Sequence, residues 1–133
     1  MPKKKKNKVK IHGAIMKVAG VYRVKDVLDY VGNYEKLYGI HMVKMGSHRY
    51  QTFKKKGVVC VTCGIKGKFM ILESHRYGDN NGRFHFNLYG IKNKSLVLMT
   101  KDHIIPKSKG GKNNIGNYQT MCHVCNRKKG NGD

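Results

Sequence analysis

Two Cys-x-x-Cys pairs, Cys60-Val61-Thr62-Cys63 and Cys122-His123-Val124-Cys125, constrain this chain more than any other feature, because they hold all 4 of its cysteines. Each pair offers two thiolates at the spacing of a metal knuckle, and four thiolates complete one tetrahedral zinc site with no open position. A closed site of that kind is structural, and metal binding at it contributes directly to folding. Disulfides are the rival use of paired cysteines. No apolar stretch of an export signal follows the N-terminal lysines, so a reducing, cytoplasmic setting and zinc are expected. A redox dithiol usually sits on a βαβ scaffold, and no such pattern is present. The 58 residues between Cys63 and Cys122 leave open whether both pairs share one ion.

A metal staple suits a chain of 133 residues, which can bury only a modest core. Charge then narrows the partner. There are 28 Lys and Arg against 7 Asp and Glu, a formal net charge of +21. So positive a surface repels itself, and a polyanion is its natural complement. Phosphate neutralisation with counterion release makes nucleic acid the first candidate. No long apolar run and no amphipathic basic helix point to a membrane. The run Met1-Pro2-Lys3-Lys4-Lys5-Lys6-Asn7-Lys8 reads as part of a disordered basic tail over residues 1–10 that touches phosphates non-specifically.

Along the chain, Val24, Val27, Leu28, Val31 and Tyr34 share one face of a helix of about three turns ending at Gly32 or Gly39. Lys44, His48, Arg49, Lys54, Lys55 and Lys56 interleave with Tyr50 and Phe53, either facing DNA or linking into the first knuckle. These stretches form an expected N-terminal helical and DNA-contact segment, residues 11–56. Beyond it, Lys68–Arg76 and Arg83–Gly90 read as strands around a turn at Gly78-Asp79-Asn80-Asn81-Gly82. Phe84, Phe86 and Leu88 alternate with Arg83, His85 and Asn87, the pattern of a half-buried strand. A third strand, Ser95–Thr100, runs into Asp102-His103. Loop residues Pro106, Gly110, Gly111, Asn113 and Asn114 follow, then a short extended piece from Tyr118 to Met121 and a helix from about His123 to Lys129. An α+β fold is expected: a C-terminal strand–loop–strand–helix unit stapled by four cysteines, preceded by a β-hairpin and a small helical segment. Residues 57–133 make up the zinc-stabilised domain in this reading.

The motif Asp102-His103-Ile104-Ile105-Pro106, Gly110-Gly111, Asn117-Tyr118-Gln119 and Cys125-Asn126-x-x-Lys129-Gly130 resembles the HNH (ββα-metal) endonucleases, in the variant with Asn as third motif residue. The interleaving of cysteine pairs with Asp-His and Asn is also similar to the zinc-containing four-cysteine nucleases of phages, junction-resolving enzymes among them. The residue types suit phosphodiester hydrolysis. An imidazole titrates near neutrality, which suits His103 to the general-base role. Asp102 is a hard oxygen ligand for Mg²⁺ or Mn²⁺. The resemblance implies that Asn126 is the second protein ligand and that Asn117 pins the loop backbone and so directs His103.

The reading expected from these residues is a metal-dependent DNA endonuclease with structural zinc on Cys60, Cys63, Cys122 and Cys125. It would nick as a monomer and cut both strands as a homodimer. Lys54, Lys55, Lys56, Lys107, Lys109, Arg127, Lys128 and Lys129 are the candidate phosphate contacts. The alternative is a zinc-stabilised nucleic-acid-binding protein without turnover, which needs none of Asp102, His103 and Asn126. A bacterial or phage-infected cytoplasm is the expected location, its viral part implied by the resemblance alone.

Overall fold

Short β-branched and aromatic runs broken by turn residues yield an antiparallel sheet with three small helices packed on it. The computed structural model describes residues 8–11, 14–75 and 83–130. In chain order the elements are β1 (Lys8–Ile11), β2 (Ala14–Arg23), α1 (Val24–Leu28), β3 (Glu35–Tyr38), β4 (His41–Lys44) and α2 (His48–Lys56). There follow β5 (Phe69–His75), β6 (His85–Lys92), β7 (Ser95–His103), β8 (Tyr118–Cys122) and α3 (His123–Lys129). Six strands form one sheet in the order β1-β2-β5-β6-β7-β8, and β3 and β4 form a separate hairpin. Every pairing is antiparallel. The α+β class expected from the sequence is the class adopted, including its hairpin and the closing strand–loop–strand–helix order. Among the described residues no helix is long and apolar enough to cross a membrane.

Two N-terminal expectations change. The helix expected to run through Tyr34 stops at Leu28, with Asp29 as its C-cap. The reason is tertiary: the Gly32 amide donates to the Met45 carbonyl, and the Met45 amide to the Tyr34 carbonyl, rather than continuing an i→i−4 ladder. Val27 and Leu28 are buried as the periodicity implies, while Tyr34 is exposed. The basic stretch from Lys44 to Lys56, for which the pattern predicts no helix, contains α2. Ser47 caps it by accepting from the Tyr50 amide at 3.1 Å, and it ends at Gly57, whose φ of 97° favours glycine. Of the tail expected over 1–10, residues 1–7 lie outside the described residues, and Lys8–Lys10 belong to β1. The turn at 78–82 also lies outside them.

The main core gathers Val27, Val43, Met45, Tyr50, Phe53, Met70, Leu72, Phe86, Leu88 and Met99 on one side of the sheet. Tyr22, Tyr38 and Phe86 meet edge to face there, with centroids 4.8–5.4 Å apart. Strand β6 was expected to be half-buried, but Phe86 through Gly90 are all buried. Its second face is covered by a smaller cluster of Ile71 and Tyr89 with Val18, Phe69 and Leu98 around it. Within that cluster the buried Glu73 accepts from the Tyr89 hydroxyl and from Asn87 Nδ2. Burial and the adjoining carboxylate push the Tyr89 phenol up.

Strand β7 is divided between two partners. Ser95–Leu98 pair with β6, whereas Met99–His103 pair with β8. The hairpin feeding this division turns on Asn93 and Lys94, both at positive φ (50° and 64°), as a two-residue type I′ turn requires. Once β7 departs, the backbone of Phe86 has no strand on that side among the described residues. Two side chains of α2 take its place: Phe86 N–H donates to Tyr50 Oη at 2.7 Å, and Arg49 Nη2 donates to the Phe86 carbonyl at 2.6 Å. Burial pushes the Tyr50 phenol up.

Candidate metal centre and active site

The two knuckles meet. Sγ atoms of Cys60, Cys63, Cys122 and Cys125 all lie within 4.8 Å of one another. The question of sharing left open by their sequence separation is thereby answered: one ion can reach all four. Backbone pairing causes the approach. The Val61 amide donates to the Thr120 carbonyl at 3.0 Å, tying the first knuckle to β8 two residues before Cys122. Each knuckle also turns an amide onto its leading sulfur: Cys63 N–H onto Cys60 Sγ at 3.5 Å and Cys125 N–H onto Cys122 Sγ at 3.4 Å. The Cys63–Cys122 sulfurs stand 3.7 Å apart and all four cysteines are free. A disulfide needs about 2 Å. A tetrahedron with metal–sulfur bonds of about 2.3 Å has edges of about 3.8 Å. The spacing is therefore that of a metal site.

Electrostatics agree with a cation. Burial pushes the Cys60 thiol up, but amides of Cys63, Cys122 and Thr62 outweigh it and bring the thiol down to about 6. Burial and the neighbouring thiols push Cys122 up, and they push Cys125 up to about 12. Four sulfurs this close ionise together only around a positive ion.

Beyond the metal site, β7, β8 and α3 form a ββα unit in which the register sorts side chains by face. Asp102 pairs with Gln119 and His103 with Tyr118. Partners across an antiparallel ladder share a face, and successive residues alternate. Thr100, Asp102, Gln119 and α3 therefore lie on one side, and Lys101, His103, Tyr118 and α2 on the other.

On the α3 side, Asp102 is buried at 3 % exposure. Its Oδ2 accepts from Gln119 Nε2 at 2.9 Å and from Lys129 Nζ at 2.8 Å, and Lys129 also donates to the His103 carbonyl at 2.7 Å. Asn126 Nδ2 donates to Thr100 Oγ1 at 2.9 Å. Asp102 and Asn126 are thus brought to the same face of β7, two strand positions apart. This donor set fits a hard divalent cation: a carboxylate oxygen that already holds a cationic ammonium, beside an amide side chain. On the opposite side, the His103 ring meets Tyr118 edge-on at 5.1 Å, and its Nε2 lies 2.7 Å from Asn113 Oδ1.

The loop between β7 and β8 is tied across by Asn117. Its Oδ1 accepts from the Ile105 amide at 2.8 Å, and its Nδ2 donates to the carbonyls of Ile105 and Lys112 at 3.0 and 2.9 Å. The Ile104 amide donates to the Asn117 carbonyl at 2.8 Å. Gly111 sits so close to Ile105 that a Cβ would lie 1.8 Å from its carbonyl oxygen.

Residues 89–132 match the family model described as HNH endonuclease. No curated protein and no solved structure matches the chain. The HNH match covers the motif that carries the resemblance, from the end of β6 through α3, and includes Cys122 and Cys125 but not Cys60 and Cys63. It assigns this segment a nuclease-type, nucleic-acid-directed character.

Of the candidate phosphate contacts, Lys107, Lys109, Arg127 and Lys128 are exposed on the β7–β8 loop and α3, and Lys54 and Lys55 are exposed on α2. Lys56 donates to the Tyr118 carbonyl at 3.0 Å, and Lys129 is held by Asp102. Asn113, Gln119 and Thr100 were not singled out in the sequence. Their partners lie 10, 17 and 26 residues away, and no spacing rule connects them.

Proposed function

We propose that this chain is a metal-dependent DNA endonuclease of the HNH type, with structural zinc on its four cysteines. The observation that carries the reading is the pairing of a buried, cation-holding Asp102 with an adjacent His103 on the strand of a ββα unit. His103 acts as general base. An amide oxygen only accepts, so with the Asn113 amide as oriented, Nε2 carries the proton and donates it to Oδ1. Nδ1 then keeps the lone pair that takes a proton from water. Tyr118 limits rotation of the ring, and Asn117 holds the backbone two residues beyond it. Asp102 and Asn126 would hold a Mg²⁺ or Mn²⁺ ion, which would supply positive charge for the scissile phosphate and the leaving 3′-oxygen. Lys129 neutralises Asp102. One unit cuts one strand, so a monomer nicks, and a dimer makes a double-strand break.

The alternative, a zinc-stabilised binder without turnover, has one observation in its favour: the Lys129 ammonium already satisfies Asp102. A plasmid-nicking assay with Mg²⁺ or Mn²⁺ separates the two. Under the enzyme reading wild type nicks, and His103→Ala lowers the rate by about 10²–10⁴-fold while salt-sensitive DNA binding persists. Absence of metal-dependent cleavage by wild type on duplex, nicked and branched DNA would hand the case to the binder.

A further inference from the structure

The parting of β6 and β7 opens a cleft whose lining, Lys101 apart, lies outside the HNH-matched residues. Its volume is about 710 Å³, within the roughly 300–1,000 Å³ of ordinary ligand sites. Lys44 of β4, His48 of α2, Arg83, Phe84 and Lys101 of β7 are among its lining residues. Glu35 is the acidic residue in the lining, so cationic groups prevail. Phe84 is half-buried and lies against the His41 ring at 3.9 Å between centroids.

The candidate general base does not line the cleft but adjoins it through Tyr118. Lys101 and His103 occupy alternate positions on one face of β7, about 7 Å apart. Tyr118 connects them: Lys101 Nζ sits 4.3 Å above its ring, and the His103 ring meets it edge-on at 5.1 Å. His48 Nδ1 lies 3.3 Å from the same tyrosine's hydroxyl.

Resting on the nuclease reading above, we propose that this cleft seats one or two unpaired nucleotides of the strand being cut, next to the scissile phosphate. Lys44, Arg83 and Lys101 meet phosphates, and a base lies against Phe84. A cleft of this volume is sized for one or two nucleotides rather than for a whole duplex. A cationic groove with an aromatic side chain is the general arrangement for single-stranded nucleic acid. The preferred substrate is then DNA with unpaired nucleotides beside the cut, and continuous duplex is bound more weakly.

The test titrates full-length, zinc-loaded protein without added Mg²⁺ against fluorescein-labelled dT10 and a blunt hairpin duplex of equal charge, reading anisotropy. Lys44→Glu/Arg83→Glu should weaken dT10 binding at least tenfold and reduce the salt slope by about 1.4, at about 0.7 per phosphate lost. Lys92→Glu/Lys94→Glu, an equal charge change at the far end of β6, should weaken it less than threefold. Phe84→Leu keeps apolar packing but removes the stacking face. It should cost about tenfold on dT10 and little on duplex. Lys44→Gln/Arg83→Gln replaces the reversal variant if that one does not fold. If wild type nicks DNA but cleft and control variants lose affinity equally, or duplex is the tighter ligand, the cleft proposal falls and the nuclease reading stands. If wild type neither nicks nor binds DNA, the nuclease reading falls and takes the cleft with it.

Discussion

Asp102 and His103 are neighbours in sequence, yet their side chains leave β7 on opposite faces and meet different partners. Asp102 shares a cation with α3, while His103 packs on Tyr118 under α2. Their residue types were enough to nominate both. The groups that set their state were not legible, because Lys129 and Asn113 reach them only through closure of the loop and helix. Lys129 carries a prediction. The Asp102 carboxylate is 2 % exposed and the lysine 26 %, so removing the ammonium leaves a buried charge with Gln119 as its remaining described partner. Breaking a fully buried pair costs about 3–5 kcal/mol, and the partial exposure of Lys129 lowers that to about 2–3 kcal/mol. Lys129→Met, with its zinc retained, should therefore melt several degrees below wild type when no Mg²⁺ or Mn²⁺ is added. Saturating Mn²⁺ should raise its Tm more than that of wild type, since no ammonium competes for Asp102. Equal shifts in both proteins would show that the ion binds elsewhere.

Elements followed the sequence where local signals and tertiary demands agreed. β7, β8 and α3 fall within a few residues of their expected limits, because apolar runs, loop glycines and a helix start coincide. α1 is shorter than its apolar period implies, since that period continues through Val31 and Tyr34 while Gly32 and Tyr34 bond the Met45 backbone. α2 has Ser47 and Gly57 at its ends, but its basic residues mask the period of the buried pair Tyr50 and Phe53. The loop between β7 and β8 is the element most exposed to a single change. Gly111→Ala pushes a methyl group into the Ile105 carbonyl, the same oxygen that receives Asn117 Nδ2. Expected are a loss of about 1–3 kcal/mol, as for overpacking elsewhere, and a fall in kcat of about tenfold or more with substrate affinity nearly unchanged. Urea unfolding and single-turnover kinetics check the two parts. An unaltered kcat would mean that the loop does not govern His103.

For the whole molecule, the four-cysteine site joins what the chain order keeps apart. The first knuckle follows α2, and the second opens α3, so one ion links the two helices that flank the β7–β8 hairpin. Zinc at such sites contributes on the order of 10–16 kcal/mol in small domains, comparable with the whole stability of about 5–15 kcal/mol of an ordinary protein. Purified protein should hold one zinc per chain. Chelation should collapse the cooperative melt, seen by circular dichroism, and DNA binding should go with it. Less than about half an equivalent of zinc with an intact fold would refute this. By itself the sequence determined the class of fold, and it nominated a polyanionic partner and the candidate reactive residues, since these follow from residue type, period and local spacing. Tertiary structure alone decided that the cysteine pairs meet, that Lys129 sits on Asp102, and that β7 leaves β6 to open a cleft beside His103. Those outcomes depend on which strands find each other across tens of residues, and pairing at that range is set by packing of the whole core, not by any local pattern.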